Sequence, residues 1–262
     1  MTIVLIAIAL YLLAAGWLVA SLRRDGAVSR GWLLPASLAL LLHGATHFLA
    51  WRNTGYTDLH FFAALSLVGL GMAALTAVVG AYGRMRALGV LVFPLAALVL
   101  LGYGLYGHST RPDPLDWRLL LHAWLALLAY ATLAVAALLA IMLWLQERAL
   151  RRHQRHAWLR AFPPLTELET LLFRTIAVGF ALLTLTLLTG VLFVENLFAQ
   201  HLVHKTVLSL LSWLVFGGLL LGRWRRGWRG SIAVRWTLIA MGLLLLAFFG
   251  SQFVLELLLH RS

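Results

Sequence analysis

Eight stretches of this chain, at approximately 2-21, 33-51, 60-82, 87-107, 118-145, 168-194, 200-222 and 232-258, are almost wholly apolar. A backbone in hydrocarbon has no water to bond with, so a run of ~20 apolar residues that crosses a bilayer does so as a helix. These runs leave only short connections among the 262 residues. The expectation is therefore an all-α, polytopic membrane helix bundle of eight transmembrane helices, a single transmembrane domain over 1-262. Composition agrees: 62% of residues are hydrophobic and 11% charged, where a soluble domain carries about 25% charged residues. The first run has no basic residue before it and is followed by Arg23 and Arg24, so it reads as a retained membrane helix rather than a cleaved secretory signal.

The formal net charge of +12 comes from arginines in the connections. Fifteen basic residues follow the first, third, fifth and seventh runs, among them Arg23, Arg24, Arg30, Arg84, Arg86 and the clusters at 148-160 and 223-235. Five, namely Arg52, Arg111, Arg118, Lys205 and Arg261, lie on the other side. Such asymmetry follows the positive-inside rule and places both termini on the outer, non-cytoplasmic face. It also removes the reason to invoke a nucleic-acid partner; the partner this charge pattern implies is the lipid bilayer. With no cysteine there is no disulfide, thiolate metal site or covalent haem attachment motif.

In that orientation His43, His47, His60, His108, His122, His201, His204 and His260 fall in the outer half, and only His153 and His156 face inward. At ~1.5 Å per helical residue, His43, His47, His122 and His204 sit on the order of 6 to 12 Å below the outer boundary. His43 and His47 are an i, i+4 pair on one helix face, and His201 and His204 are nearly so. Imidazoles at that depth are expensive unless hydrogen-bonded or bound to something.

Three readings remain open from spacing alone. A b-type haem takes two axial imidazoles from facing helices in a pocket with aromatic walls. His122 and His204 meet its depth requirement, with His43 or His47 available for a second site and Trp124 and Trp213 as flanking aromatics. A zinc or copper site draws on the same imidazoles. In the third reading the histidines are interior structural groups.

Elsewhere, Pro163-Pro164 followed by Thr166 and Glu169 has the spacing of a capping box at the start of the sixth helix, with Arg174 one turn inside and able to snorkel. The segment HSTRPDPLDWR reads as a rigid outer turn. Trp51, Trp117, Trp158, Trp224, Trp228 and Trp236 read as interfacial anchors. Glu195 and Glu256 lie near outer helix ends, where either could orient a histidine.

Two segments carry a resemblance. LHAWLALLAYATLAVAALLAIMLWLQERAL, Leu121 to Leu150, and ENLFAQHLVHKTVLSLLSWLVFGGLLLGRWRRGWRG, Glu195 to Gly230, resemble the cytochrome c assembly family (CcsA, CcmC and HemX-like), most closely its YpjD-like inner-membrane branch. The resemblance implies a haem-handling membrane protein with an outward-facing site, haem b as cofactor and other cytochrome c assembly proteins as partners. It puts His122 on the family's outer haem-ligand histidine, and His204 at the end of the segment that precedes Lys205 and Trp213. It sets His43 or His47 on the within-membrane histidine. Lys205 would then pair with a haem propionate or with Glu195, and His201 would lie at the rim. No W-G-x-x-W element stands between Glu195 and Lys205, which implies an accessory role rather than a complete haem lyase. The alternative is a non-haem membrane scaffold or accessory subunit of a transporter.

Overall fold

The computed structural model describes residues 1–23, 30–55, 58–82, 86–107, 116–152, 163–193 and 203–250. Eight helices long and apolar enough to cross a membrane account for nearly all of them. They are α1 (Thr2–Arg23), α2 (Leu33–Thr54), α3 (Phe61–Tyr82), α4 (Arg86–Tyr106), α5 (Trp117–Arg151), α6 (Leu165–Phe193), α7 (Val203–Arg226) and α8 (Ser231–Leu245). A 3-10 turn, Arg30–Trp32, leads into α2, and a π-helical turn, Leu246–Gly250, continues α8.

The helices form two compact units. One holds α1 to α4 and the other α5 to α8. In the first, α1 packs on α2 and α4, and α3 on α2 and α4, which closes a ring of four helices. Its core is aromatic around Tyr11, Trp32 and Phe93: Tyr11 stacks on Phe93 with centroids 6.0 Å apart, and Trp32 lies against the same ring at 5.9 Å. The second unit repeats the ring, with α5 on α6 and α8, and α7 on α6 and α8. Here α5 and α6 pack tightly at Gly179, where a Cβ would stand 2.5 Å from Leu133 Cδ2 and 3.5 Å from the Leu133 backbone nitrogen. Association in lipid depends on such close packing, because hydrocarbon offers no hydrophobic drive between helices. Gly179→Ala is expected to cost about 1–3 kcal/mol by overpacking, read as a lower thermal midpoint in detergent. Combining it with Leu133→Ala should recover part of the loss.

Several helix ends differ from the hydropathy boundaries for local reasons. α2 runs three residues past Trp51 and stops where Gly55 adopts φ 79°, its N–H donating to the Trp51 carbonyl at 2.7 Å. This left-handed stop is a glycine property that hydropathy does not register. α5 continues beyond 145 to Arg151. Its last turns carry Glu147 and Arg151 at i, i+4, a pairing that supports helix outside hydrocarbon, and Arg148 lies over the Trp144 ring at 5.2 Å.

The capping box expected at Thr166 and Glu169 does not form. α6 starts at Leu165, and the Pro164 carbonyl accepts from the Glu167 and Leu168 N–H groups, so Thr166 already lies within the first turn. Glu169 is buried and instead accepts from the Gly230 N–H at 3.1 Å, with Arg223 3.7 Å away. A long-range pairing has replaced the local one. Arg174 is exposed, as a snorkelling residue would be.

The Tyr130 hydroxyl donates to the Leu244 carbonyl at 2.6 Å. A continuing α-helix would offer that carbonyl to the Phe248 N–H, and here the helix widens into its π turn. Residues 251–258 of the eighth run lie outside the described residues, as do the Pro112 and Pro114 turn, Trp158, His153, His156, His201, Glu195 and Glu256.

Candidate functional site

All four helices of the first unit contribute to one buried polar core. Nδ1 of His43 is 3.2 Å from the Tyr11 hydroxyl, and its Nε2 is 2.9 Å from Ser66 Oγ. The same Ser66 oxygen is 3.0 Å from His47 Nε2. Tyr11, His43 and Ser66 are completely buried. Their proton directions follow from counting donors. If Tyr11 donates to His43 Nδ1, His43 Nε2–H donates to Ser66, and Ser66 donates to His47 Nε2, both hydroxyl hydrogens and the His43 ring N–H have acceptors. Reversed, the Tyr11 hydrogen has none, and a buried hydroxyl without a partner is costly. The assigned direction leaves neither His43 nitrogen, nor Nε2 of His47, with a spare lone pair.

The imidazole of His47 also stacks on Tyr103 of α4, with centroids 4.4 Å apart and planes 24° from parallel. The His60 ring also lies near Tyr103, with centroids 6.4 Å apart. Nδ1 of His60 is 2.6 Å from Asp58 Oδ1, and that oxygen also accepts the His60 backbone N–H at 3.1 Å. A carboxylate on Nδ1 fixes the tautomer and makes Nε2 the basic nitrogen. That Nε2 is buried and has no hydrogen-bond partner. Histidine-by-histidine depth counting did not single out His60. The signal was present in the spacing, an aspartate two residues ahead of a histidine at the entry to a helix.

In the second unit His122 of α5 lies against α6. Its Nδ1 is 3.1 Å from Thr189 Oγ1, and a Cβ on neighbouring Gly190 would lie 3.2 Å from His122 Cε1. The Thr189 hydroxyl spends its single hydrogen on the carbonyls of Leu185 and Thr186, at 2.9 and 3.0 Å. With that hydrogen on a backbone carbonyl, the hydroxyl accepts from His122. His122 carries its proton on Nδ1, and Nε2 keeps the lone pair.

The remaining expected residues are dispersed over α5 and α7. Trp124 is exposed and, two positions from His122, projects about 200° away around the helix. His204, in the first turn of α7, is exposed. The Lys205 ammonium lies 5.8 Å from the centre of the Phe248 ring, in the π turn. Trp213 is nine residues on from His204, about 13 Å deeper; its indole N–H donates to Thr184 Oγ1 at 2.8 Å and its ring stacks on Phe180 at 5.5 Å. α5 and α7 occupy diagonal corners of the ring and enter it from the same end, so His122 and His204 belong to the same end of the unit. Among the described residues no three histidine, aspartate or glutamate side chains converge as ligands for a metal ion.

Comparison with known proteins places these features in a wider group. A family profile described as "Cytochrome C assembly protein" matches residues 32–259. Over 245 residues the chain is 31% identical to the inner membrane protein YpjD of Escherichia coli K12, covering 90% of each. It is 27% identical over 156 residues to the cytochrome c biogenesis protein CcsA of Chlamydomonas reinhardtii, covering 56% of this chain and 43% of that protein. It is also 27% identical over 134 residues to protein HemX of Brevibacillus brevis, covering 50% of this chain and 49% of that one. No solved structure matches the chain at a significant level.

Proposed function

The chain belongs to the cytochrome c assembly family, and from that premise we propose that it is a multi-pass protein of the bacterial inner membrane that handles haem in cytochrome c biogenesis, in an accessory role. Both termini face outward, by the arginine asymmetry of the connections.

The observation that carries the proposal is the seat of His122. A haem ligand must present a bare imidazole nitrogen held in a fixed orientation by its other nitrogen. Thr189 supplies that orientation on Nδ1 and leaves Nε2 with its lone pair. His204, at the start of α7, would supply the second imidazole to haem, Lys205 would pair with its propionates, and Trp213 would be an aromatic group of the same unit. Trp124, on the opposite side of α5, takes an interfacial role instead. Haem b at this site would supply one-electron chemistry between its ferric and ferrous states.

A second site in the first unit falls to His47 rather than His43. Ligation at His47 Nε2 displaces only the Ser66 hydroxyl, whereas ligation at His43 Nε2 displaces Ser66 and moves the ring proton to Nδ1, which also ends its acceptance from Tyr11. The saturation of His43 also favours the rival reading, a haem-free scaffold or accessory subunit of a transporter, for that unit's histidines.

The test is a reduced-minus-oxidised absorption spectrum of the purified protein made with haem supplied. The proposal expects a b-type signal that disappears in His122→Ala. Thr189→Val should bind haem about 10–100-fold more weakly, the usual effect of removing an orienting partner. A folded, haem-exposed wild type with no signal would transfer the assignment to the scaffold, and a signal untouched by His122→Ala would remove His122 from the haem site.

A further inference from the structure

One cavity in the first unit has no part in the reading above and does not depend on haem. It is a groove of about 480 Å³ between α2 and α3, lined by Arg30, Leu33, Ser37 and Leu40 on one side and Ala74, Ala77, Val78 and Ala81 on the other. Both stripes have helical spacing, so the groove runs along the two helix axes. The α3 wall is three alanines and a valine, too small to fill the space between the helices. Ten residues separate Arg30 from Leu40, a length of ~15 Å along the helix. That is one leaflet, half the ~30 Å hydrocarbon core of a bilayer.

The two ends of the groove differ in chemistry. At membrane depth its apolar walls face hydrocarbon, where water gains nothing by entering, so an acyl chain is the natural filling. At the mouth stands the exposed guanidinium of Arg30. No carboxylate among the described residues forms an ion pair with it, the two such pairs being His60 with Asp58 and Arg223 with Glu169. The mouth lies at the arginine-rich end of the unit, which Arg86 at the start of α4 shares. An arginine at the headgroup level above a chain-sized apolar groove selects for phosphate without a compensating cation.

We propose that this groove is a binding site for one anionic glycerophospholipid, its acyl chain along the α2–α3 stripe and its phosphate on Arg30. The site distinguishes this lipid from the surrounding bilayer by two independent features, groove volume and headgroup charge, and each can be removed separately.

The experiment is native mass spectrometry of the full chain, delipidated in detergent and titrated with phosphatidylglycerol or with phosphatidylcholine. The wild type should retain one phosphatidylglycerol in preference to phosphatidylcholine. Arg30→Gln, an exposed change that leaves the core untouched, should lower that preference about fivefold, the factor equivalent to the ~1 kcal/mol one arginine contributes near an anionic surface. Ala74→Leu, at a half-buried wall position, should reduce retention of both lipids. Equal retention of the two lipids by the wild type, or an unchanged preference in Arg30→Gln, would overturn the proposal. So would a groove occupied by a second copy of the chain, seen as a dimer that survives delipidation and is broken by Ala74→Leu.

Discussion

Replacing His43 by alanine is expected to destabilise the first four helices by about 3–5 kcal/mol. Interhelical hydrogen bonds in membranes are each worth about 0.6 kcal/mol on average and up to about 1.7, because groups released in lipid find other partners. His43 makes two such bonds, to Tyr11 and Ser66, which accounts for about 1–3 kcal/mol. The remainder comes from the cavity left by a completely buried ring, since large-to-small changes in a packed core cost about 2 kcal/mol or more beyond any polar loss. Tyr11→Phe alone removes one bond and no volume, and should cost about 1 kcal/mol. The measurement is reversible unfolding of the purified protein in mixed micelles. If His43 and Tyr11 lie in one chain, the double variant should lose less than the sum of the two single losses. Strict additivity would mean that the Tyr11–His43 bond carries no coupling, and a loss under 1 kcal/mol for His43→Ala would remove the network from the core.

Glu169→Ala should have a comparable effect on the second four helices, about 2–4 kcal/mol. The carboxylate holds the turn between α7 and α8 from a distant helix, accepting from the Gly230 N–H while Arg223 approaches it at 3.7 Å. Arg223 in turn donates to the Trp228 carbonyl at 3.3 Å and lies 4.6 Å over the Phe173 ring. Gly227 and Gly230, at φ 64° and 54°, give the turn a backbone that other residues adopt only with strain. Deleting the carboxylate leaves a half-buried guanidinium and a backbone N–H without their acceptor. Removing one member of a fully buried pair costs about 3–5 kcal/mol; the partial exposure of Arg223 sets the expectation lower. Glu169→Gln keeps an oxygen for Gly230 and should cost about 1 kcal/mol. Equal losses for the two variants would show that charge, rather than the bond to Gly230, holds the turn.

How much was legible beforehand depends on whether the cause of a feature lies nearby in the chain. The spans were readable because a long apolar run suffices to specify a membrane helix. Their ends were not, because a left-handed glycine at Gly55 or a helix continuing through Glu147 and Arg151 is decided by local geometry outside hydrocarbon. The candidate site divides in the same way. That His43 and His47 share a face follows from four-residue spacing, and His122 was found by depth. The partners that give those histidines their chemistry, Tyr11, Ser66, Tyr103 and Thr189, stand on other helices, and no periodicity announces them. Glu169 illustrates the opposite error: a good local pattern yielded to a buried contact with Gly230, 61 residues away.

By itself, then, the sequence determined an eight-helix membrane protein of the cytochrome c assembly family, because hydrocarbon imposes helices on long apolar runs and family likeness is carried by residue order. Only the tertiary structure decided which imidazole nitrogens keep a lone pair. That choice rests on where a single hydroxyl hydrogen is spent: Thr189 spends its own on backbone carbonyls and leaves His122 Nε2 bare, whereas Ser66 donates to His47 and closes that nitrogen.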